Sequence, residues 1–498
     1  MVSAPCADDA DAPLPRLDEP GLAGRVRRIF ADAGYRAENV EALLGRPAAS
    51  WRREAASQAL RADVETPLAA LLKLFCGGRR LAIGTLAAAL GRSGVDTLEA
   101  AGLLVRRGEE VQATVQLTPH GKYLYAHDLP ARHHARAADF VVGPSPVARL
   151  LGALTVPNSV ERALDLGCGA GVLALDTLAG ARQISAVDLN PRAVALTCFN
   201  AALNGCGNVT THTGDLFAPL GDARFDLIVS NPPFVIAPRA TFLYRDGGAP
   251  ICERIVREAP AHLAVDGVLQ MLCNWPEQAG RDWREVPRRW FDGCDCDAWV
   301  LRLRSQVALD YALAWLGQEH AGAPVPAEAL AAWTGHFADQ EISAVGTGLV
   351  VMYRPQGRPP WLELRDAPPL LGAAGAAIAG VLAARDAAAR LSDDAALLAA
   401  RLRPAPDLEH HVRRHPDGDG WARADAALRL TRGLGFAVRA DPVATALIGY
   451  LDGRRSVSAA AERVAAQGGV ATAVLLPQLP AAVRRLLHLG LLVPAAFA

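Results

Sequence analysis

The chain lacks three features that would point to particular classes of protein. Neither charge is in excess, since 51 lysines and arginines are balanced by 52 aspartates and glutamates, so no global field steers the protein toward nucleic acid or membranes. A regular cysteine framework is missing, because the 9 cysteines are scattered, and this is typical of a reducing compartment. Long apolar runs are missing too: the least polar stretch, residues 370–384, is shorter than the roughly 20 residues that span a bilayer.

The sequence does not open on a charged-then-apolar secretory leader, which is also typical of a protein in a reducing compartment. We therefore expect a cytoplasmic protein with free thiols and no membrane segment, in which residues 370–384 form a packed helix. At 498 residues the chain exceeds what one hydrophobic core usually supports, so several domains are expected.

Two apolar runs have the length and composition of buried parallel strands, and each ends in a distinctive motif. Residues 162–166 lead into Gly167-Cys168-Gly169-Ala170-Gly171, and residues 225–230 lead into Asn231-Pro232-Pro233-Phe234. Glycines let the backbone turn sharply and approach a ligand, while two prolines cannot donate to a sheet and so end the strand. In an open α/β sheet, ligands lie outside the carboxyl ends of the strands. The pair of motifs therefore predicts a cofactor site beside a reaction site.

Two acidic motifs follow the glycine-rich turn. Residues 184–188 form a strand-like run that ends in Asp188, whose carboxylate is suited to accept hydrogen bonds from both ribose hydroxyls of a nucleotide. Asn190-Pro191 then begins a helix, with proline where no amide donor is missed. Residues 213–217, Thr-Gly-Asp-Leu-Phe, end the next predicted strand. Dehydrogenases share the first two motifs, so these alone leave the cofactor undecided.

With these motifs in this order, residues 138–355 resemble a class I S-adenosylmethionine-dependent methyltransferase. The Asn-Pro-Pro-Phe motif resembles the form found in release-factor glutamine methyltransferases and in amino-methylases of DNA and RNA bases. The resemblance implies an α/β fold with a Rossmann-like, seven-stranded core, methyltransferase activity and S-adenosylmethionine as cofactor. It also implies cofactor contacts from residues of all four motifs: Asp165, Gly167, Gly169, Gly171, Asp188, Leu189, Asp215, Leu216 and Asn231.

Particular roles follow from the same resemblance. Asp165 would hold the amino-acid end of the cofactor, Asp215 would accept from the adenine amino group, and Leu216 or Phe217 would pack against the adenine ring. The segment between Phe140 and Ser145 would lie across the cofactor pocket, so residues 141–145 are expected to line it.

The reaction explains the Asn-Pro-Pro-Phe motif. An amide or aryl-amine nitrogen keeps its lone pair in conjugation, so the amino group must be held and reoriented before it attacks a methyl group. The side-chain oxygen of Asn231 and the carbonyl oxygen of Pro232 are predicted to do this, with Phe234 stacked on the substrate or beside the sulfonium. Four residues are expected to border the substrate: Pro233, Tyr244, Arg245 and Asp246. No metal site is predicted.

The flanking regions are predicted to be accessory. Residues 1–20 are expected to be disordered, and residues 21–130 and 361–498 to form mainly helical, winged-helix-like domains. A hairpin around residues 107–110 completes the first of these. Such modules bind nucleic acid in some proteins and act as substrate clamps or homodimer surfaces in others, and the second interpretation is favoured because acids occur on the wing.

The resulting hypothesis is an N-methyltransferase that acts on a planar nitrogen, with a protein glutamine as one acceptor. Three alternatives stay open: a natural-product methyltransferase acting on a small molecule, an amino-methyltransferase of DNA or RNA bases, and a non-catalytic regulator that senses the cofactor.

Overall fold

The computed structural model describes residues 14–44, 66–245, 248–320, 324–391, 393–416, 421–469 and 471–495. The chain divides into two compact units, of which the first comprises Met1–Gly152 and Asn158–Arg354 and the second Ala153–Pro157 and Pro355–Ala498. The predicted accessory domain at residues 21–130 therefore belongs to the same unit as the predicted methyltransferase core. Residues 1–13 of the segment predicted to be disordered lie outside the described residues. Residues 14–20 are placed, and the amide of Arg16 donates to the carbonyl oxygen of Ala101 over 2.9 Å.

The amino-terminal part of the first unit is a helical module with two β-hairpins. Its helices are α1 (Leu22–Asp32), α2 (Ala37–Leu44), α3 (Pro67–Phe75), α4 (Ile83–Leu90) and α5 (Arg92–Ala100). Its strands are β1 (Leu81–Ala82), β2 (Leu104–Arg107), β3 (Glu110–Ala113), β4 (Gln116–His120) and β5 (Tyr123–His127). Strands β2 and β3 pair around the predicted turn. The β4–β5 hairpin was not predicted.

The remainder of the first unit is built on a central sheet. Its strands are β6 (Arg162–Leu166), β7 (Gln183–Asp188), β8 (Val209–Thr213), β9 (Phe225–Ser230), β10 (Leu263–Glu277), β11 (Asp297–Val307) and β12 (Ala344–Tyr353). The helices are α6 (Pro130–His134), α7 (Pro146–Leu154), α8 (Pro191–Asn204), α9 (Gly248–His262), α10 (Glu285–Arg289), α11 (Ala308–Glu319) and α12 (Ala327–Asp339). A π-helical turn, Leu173–Thr177, follows β6.

These seven strands lie in the order β8-β7-β6-β9-β10-β12-β11. The first five are parallel, and β12 runs antiparallel to both of its neighbours. The order reverses between β6 and β9, and ligands of doubly wound sheets bind at such a switch point. The predicted α/β, Rossmann-like core is confirmed, except that its sheet has eight strands where seven were predicted. The two motifs that led to this prediction end the two strands at the reversal.

The second unit mixes helices and strands, whereas the sequence predicted a mainly helical domain. Its helices are α13 (Gly375–Arg390), α14 (Asp394–Ala399), α15 (Pro442–Tyr450), α16 (Val457–Gly468), α17 (Thr472–Leu475) and α18 (Leu479–His488). Its strands are β13 (Leu362–Asp366), β14 (Leu370–Leu371), β15 (Leu402–Pro404), β16 (Leu408–Pro416), β17 (Trp421–Leu430), β18 (Gly433–Leu434), β19 (Ala437–Arg439) and β20 (Leu492–Pro494). The β16–β17 hairpin accounts for most of the strand content that was not predicted. Its first strand is rich in arginine and histidine, and therefore lacks the alternation of apolar and polar residues that predicts a strand.

Within the described ranges, no single helix combines the length and apolar composition needed to cross a membrane. The segments Val457–Gly468 and Thr472–His488 meet that requirement only as a pair, and the chain bends by 118° between them.

Candidate active site

The candidate site lies where β6 and β9 end side by side. Leu166 and Ser230 are register partners on these strands, and the Ser230 hydroxyl donates to the Leu166 carbonyl oxygen over 2.7 Å. Gly167 and Asn231, the residues that follow, therefore leave the sheet at the same point. Both line a cavity of about 190 Å³.

The glycine-rich turn owes its composition to two different constraints. Gly167, Gly169 and Gly171 have φ angles of +81°, +55° and +77°, a region that favours glycine. A Cβ atom on Gly167 or Gly169 would meet no atom within 4 Å, whereas one on Gly171 would lie 2.9 Å from Thr197 Cγ2. The first two glycines border the cavity, and the third allows the turn to pack against α8.

Asp165 lies directly beneath this turn and is fully buried. Its Oδ2 accepts from the Ala174 amide over 2.9 Å, while its Oδ1 has no hydrogen-bond partner among the described residues. Burial raises the pKa of Asp165 to about 7, against the lowering effect of the Ala174 amide and with a further rise from the Asp188 charge. A buried acid with a free oxygen is suited to receive a cationic donor.

Asp188 ends β7 and is held rigidly by the backbone. Its Oδ2 accepts from the Gly169 amide over 2.9 Å and its Oδ1 from the Asn190 amide over 2.8 Å. Burial raises the pKa of Asp188, and these two amides oppose that rise. Each oxygen keeps lone-pair capacity for a ligand hydroxyl. Leu189, 56% exposed, adds an apolar wall to the cavity.

Asp215 and Leu216 also line the cavity. Both carboxylate oxygens of Asp215 face the guanidinium of Arg254, the shorter contact being 3.0 Å, in an ion pair that is about half exposed. The ring of Phe217 is buried and stacks on His262 with a centroid distance of 4.5 Å. Of the two predicted neighbours for an adenine ring, Leu216 is therefore the one at the cavity.

The Asn-Pro-Pro-Phe segment divides between the cavity and the protein interior. Asn231, Pro232 and Pro233 line the cavity, and Asn231 Oδ1 is buried without a partner among the described residues. The Pro232 carbonyl oxygen already accepts from the Phe234 amide over 2.8 Å, so one lone pair remains. Phe234, expected to face the substrate, does not line this cavity and packs instead on the buried cluster around Tyr311.

Of the two described residues predicted to border the substrate beyond this segment, one is at the cavity. Tyr244 lines it, with its hydroxyl 3.4 Å from His133 Nε2. Arg245 does not line the cavity: its side chain is 5% exposed and lies 3.5 Å from a Glu319 carboxylate oxygen. That it borders the substrate stays a prediction. Asp246 lies outside the described residues.

The segment of residues 140–145, which precedes α7 and is called the strap below, closes one side of the cavity. Its lining residues are Phe140, Val141, Val142, Gly143 and Ser145, as expected for residues 141–145 apart from Pro144. Asp128, which sequence reasoning missed, anchors the strap: it is 1% exposed, accepts from the Val141 amide over 2.8 Å and pairs with Arg192 Nη2 over 2.6 Å. No local signal identifies Asp128, because Arg192 lies 64 residues further along the chain.

A second missed group supports the Asn-Pro-Pro-Phe segment from below. The Tyr311 hydroxyl accepts from the Ile236 amide over 3.2 Å and from Asn274 Nδ2 over 2.9 Å. Asn274 Oδ1 in turn accepts from the Thr347 hydroxyl over 2.8 Å. Burial raises the pKa of Tyr311 to about 12, so the hydroxyl stays protonated at neutral pH.

The donor and acceptor pattern of the cavity fits S-adenosylmethionine. A free acceptor oxygen on Asn231 suits a ligand that carries an amino group, and the fixed carboxylate of Asp188 suits ribose hydroxyls. Asp165, whose Oδ1 is also free, lies beneath the cavity and does not line it. Open space at Gly167 and Gly169 lets a ligand approach the backbone. Within the described ranges, no group of three or more metal-ligating side chains is found.

Comparisons with known proteins agree with this assignment. The family described as methyltransferase small domain matches residues 147–282, and two domains of unknown function match residues 32–114 and 382–494. The chain is similar to the ribosomal protein uL3 glutamine methyltransferase of Bradyrhizobium diazoefficiens, with 37% identity over 165 residues, 29% of this chain and 50% of that protein.

Two further relatives cover a comparable stretch. The release factor glutamine methyltransferase of Geobacter sulfurreducens is 36% identical over 156 residues, 27% of this chain and 55% of that protein. The ribosomal RNA small subunit methyltransferase C of Alcanivorax borkumensis is 33% identical over 133 residues, 26% of this chain and 35% of that protein. The chain thus spans about half the length of the first two relatives. It contains a class I S-adenosylmethionine-dependent methyltransferase domain of the group that includes the glutamine methyltransferases, and S-adenosylmethionine is the cofactor of that domain.

Proposed function

We propose that the protein transfers a methyl group to a planar nitrogen, and that the acceptor is the side-chain amide of a glutamine in another protein. One observation carries the proposal: Asn231 Oδ1 is buried, has no partner among the described residues and belongs to a residue that lines the cavity. A buried acceptor oxygen without a donor is costly, about 1–3 kcal/mol, unless a ligand supplies the donor. The glutamine methyltransferases among the relatives support the choice of acceptor.

Bound in this cavity, S-adenosylmethionine supplies a methyl group on a positively charged sulfur. Asn231 Oδ1 accepts a hydrogen bond from the NH₂ group of the acceptor, and the remaining lone pair of the Pro232 carbonyl oxygen accepts a second. These two bonds fix the nitrogen and turn its lone pair out of conjugation, which is catalysis by positioning. Neither Asn231 nor Pro232 can take up a proton near neutral pH, so the nitrogen gives its proton to water once its new bond to the methyl carbon has formed and the bond between that carbon and sulfur has broken.

The wall of the cavity around this position is apolar. Pro233, Leu243 and Tyr244 line the same cavity as Asn231, and Leu243 is 46% exposed. An amide side chain that enters past these residues loses water on its flanks while its NH₂ group gains the Asn231 acceptor. A low local dielectric strengthens that hydrogen bond.

The test uses the full-length protein and methyl-labelled S-adenosylmethionine in a lysate of cells that lack it. The expected result is label that is removed by protease and appears as methylglutamine after complete enzymatic digestion. Asn231→Ala should reduce transfer on the order of 100-fold, because the acceptor loses its positioning bond.

The matched control is Asn208→Ala, which removes an asparagine whose Nδ2 donates to the Ala181 carbonyl oxygen in the same domain. This variant should retain transfer. Equal activity of Asn231→Ala and the parent protein would reject the proposed role of Asn231. Label on another amino acid would reject glutamine as the acceptor.

An amino group of a nucleic-acid base is the second candidate acceptor, favoured by the relative that methylates ribosomal RNA. The same experiment separates the two, because label on a base is released by nuclease and resists protease.

A further inference from the structure

The β16 strand of the second unit is paired along its whole length yet covered on neither face. It forms nine register pairs with β17, but eight of its nine residues, all except Leu408, are exposed. The strand lies at the edge of the three-stranded sheet β16-β17-β19. On β17 the side chains of Ala426, Leu428 and Leu430 are buried, so the core of the unit ends at β17 and β16 extends beyond it.

Arginines outnumber acids along this edge. Residues 408–439 carry six arginines and four acids, whereas the whole chain is balanced. The arginines at exposed positions are Arg413, Arg414, Arg429, Arg432 and Arg439.

The two acids among the described residues of this edge, Glu409 and Asp425, leave most of the arginine charge free. Asp425 lies 3.8 Å from Arg413 Nη2, in a pair whose arginine side chain is 78% exposed, and Glu409 contacts His411 over 2.8 Å. Exposed pairs of this kind contribute about 0–1 kcal/mol. Within the described residues Arg414, Arg429 and Arg439 make no ion pair, so at least three guanidinium groups of this edge are available.

The arrangement places cations on both faces of the strand. Side chains of a β-strand alternate, so His411, Arg413 and His415 project to one side and His410 and Arg414 to the other. Across the sheet, His411, Ala427 and Arg439 occupy one register row, which extends the first side onto β19. Neighbouring side chains on one side are about 6.6–6.8 Å apart along the strand.

An edge strand that only needed protection from aggregation would be satisfied by one or two charges of either sign. Cations on both sides and on the adjacent strands exceed that need. A flat anionic bilayer would contact one side of the strand, whereas the phosphates of a nucleic acid can surround a β-ribbon on both. Guanidinium groups bind phosphates with paired hydrogen bonds.

We propose that the β16–β17 hairpin, with the exposed Arg439 of β19, is a binding surface for the phosphate backbone of a nucleic acid. This proposal does not rest on the proposed methyl transfer. Its contacts are electrostatic, so it binds without strong dependence on base sequence and its affinity falls as salt rises.

The test measures binding of the full-length protein to short labelled RNA and DNA oligonucleotides by fluorescence anisotropy over a salt series. We expect salt-dependent binding, and a double variant with Arg413→Ala and Arg414→Ala that binds at least tenfold more weakly, with the salt slope lower by about two. Whichever of RNA or DNA binds more tightly identifies the source of the phosphates. The charge-preserving variant with Arg413→Lys and Arg414→Lys should retain most of the affinity.

A matched control carries Arg463→Ala and Arg485→Ala, which removes the same charge from exposed positions on α16 and α18 of the same unit. This control should bind like the parent protein, and thermal melting should show that both double variants remain folded. Equal losses in the two double variants would overturn the proposal. So would the absence of salt-dependent binding to either nucleic acid, or preferential binding to vesicles of anionic lipid.

Discussion

The Ser230 hydroxyl donates a hydrogen bond to the Leu166 carbonyl oxygen over 2.7 Å, and this contact ties the carboxyl ends of two adjacent parallel strands together. One residue further on, Gly167 and Asn231 begin the two loops that line the cavity. The proposed cofactor-binding turn and the proposed acceptor-binding residue are therefore fixed relative to one another by the sheet. Rigid strands hold such groups more precisely than loops do.

Gly171→Ala is expected to destabilise the fold. The residue has a φ of +77° and its new methyl group would meet Thr197 Cγ2 at 2.9 Å, so the conformational cost of about 1–2 kcal/mol is added to a clash. Chemical denaturation measures the loss. Adding Thr197→Ser should restore part of it, because serine lacks that methyl group and keeps the hydroxyl that donates to the Gly169 carbonyl oxygen.

Gly207→Ala serves as the control for this prediction, since a Cβ atom there would meet nothing within 4 Å. If the Gly171 and Gly207 variants unfold at the same denaturant concentration, the packing explanation for Gly171 is incorrect.

The buried carboxyl of Asp165 should make the protein sensitive to pH. Its pKa of about 7 in the folded state lies above the ordinary value of 3.8, so the folded state binds the proton more tightly. Stability contributed by this group is then greatest below pH 4 and falls as pH rises toward 7. A cationic amino group favours the ionised acid, so affinity for S-adenosylmethionine should rise over the same interval.

Asp165→Asn should remove both dependences and weaken cofactor binding. Denaturation on either side of pH 7 measures the pH dependence of stability, and calorimetric titration on either side of pH 7 measures the pH dependence of cofactor affinity. A variant whose cofactor affinity changes with pH as steeply as that of the parent protein would show that another group titrates.

Tyr311→Phe should impair methyl transfer more than cofactor binding. The change leaves the Ile236 amide and Asn274 Nδ2 without their acceptor, at a cost of about 1–3 kcal/mol for each donor. Because Ile236 follows the Asn-Pro-Pro-Phe segment closely, that segment should lose its fixed position. Turnover in the labelling assay and calorimetry of cofactor binding separate the two effects, and a parallel loss in both would argue against this role.

Asp128→Asn should loosen the strap across the cavity. Arg192 would keep a buried charge without its anionic partner, and breaking such a pair costs about 3–5 kcal/mol. We expect a lower melting temperature and weaker cofactor binding, since the Val141 amide loses its charged acceptor. Asp139→Asn, which removes a more exposed partner of Arg132, should have a smaller effect on both measurements. Equal effects would mean that burial of Asp128 is unimportant.

The sequence predicted those parts of the site that are encoded locally. Buried strands have continuous apolar runs, so the positions of Asp165, Asp188 and Asn231 at the ends of neighbouring strands followed from pattern and order. Side-chain direction did not follow. Phe234 points into the cluster around Tyr311 and Arg245 pairs with Glu319, because helix α11, far along the chain, supplies their partners.

The most direct test of the central claim is calorimetric titration of S-adenosylmethionine into the full-length protein and into Asp188→Ala. The variant loses the carboxylate that is fixed by the Gly169 and Asn190 amides, whereas the control Asp222→Ala alters an exposed acid of the same domain. We predict one binding site in the parent protein, unchanged affinity in the control and affinity at least about tenfold weaker in the variant, a difference of about 1.4 kcal/mol. Absence of binding to the parent protein, or equal binding to all three, would contradict the account.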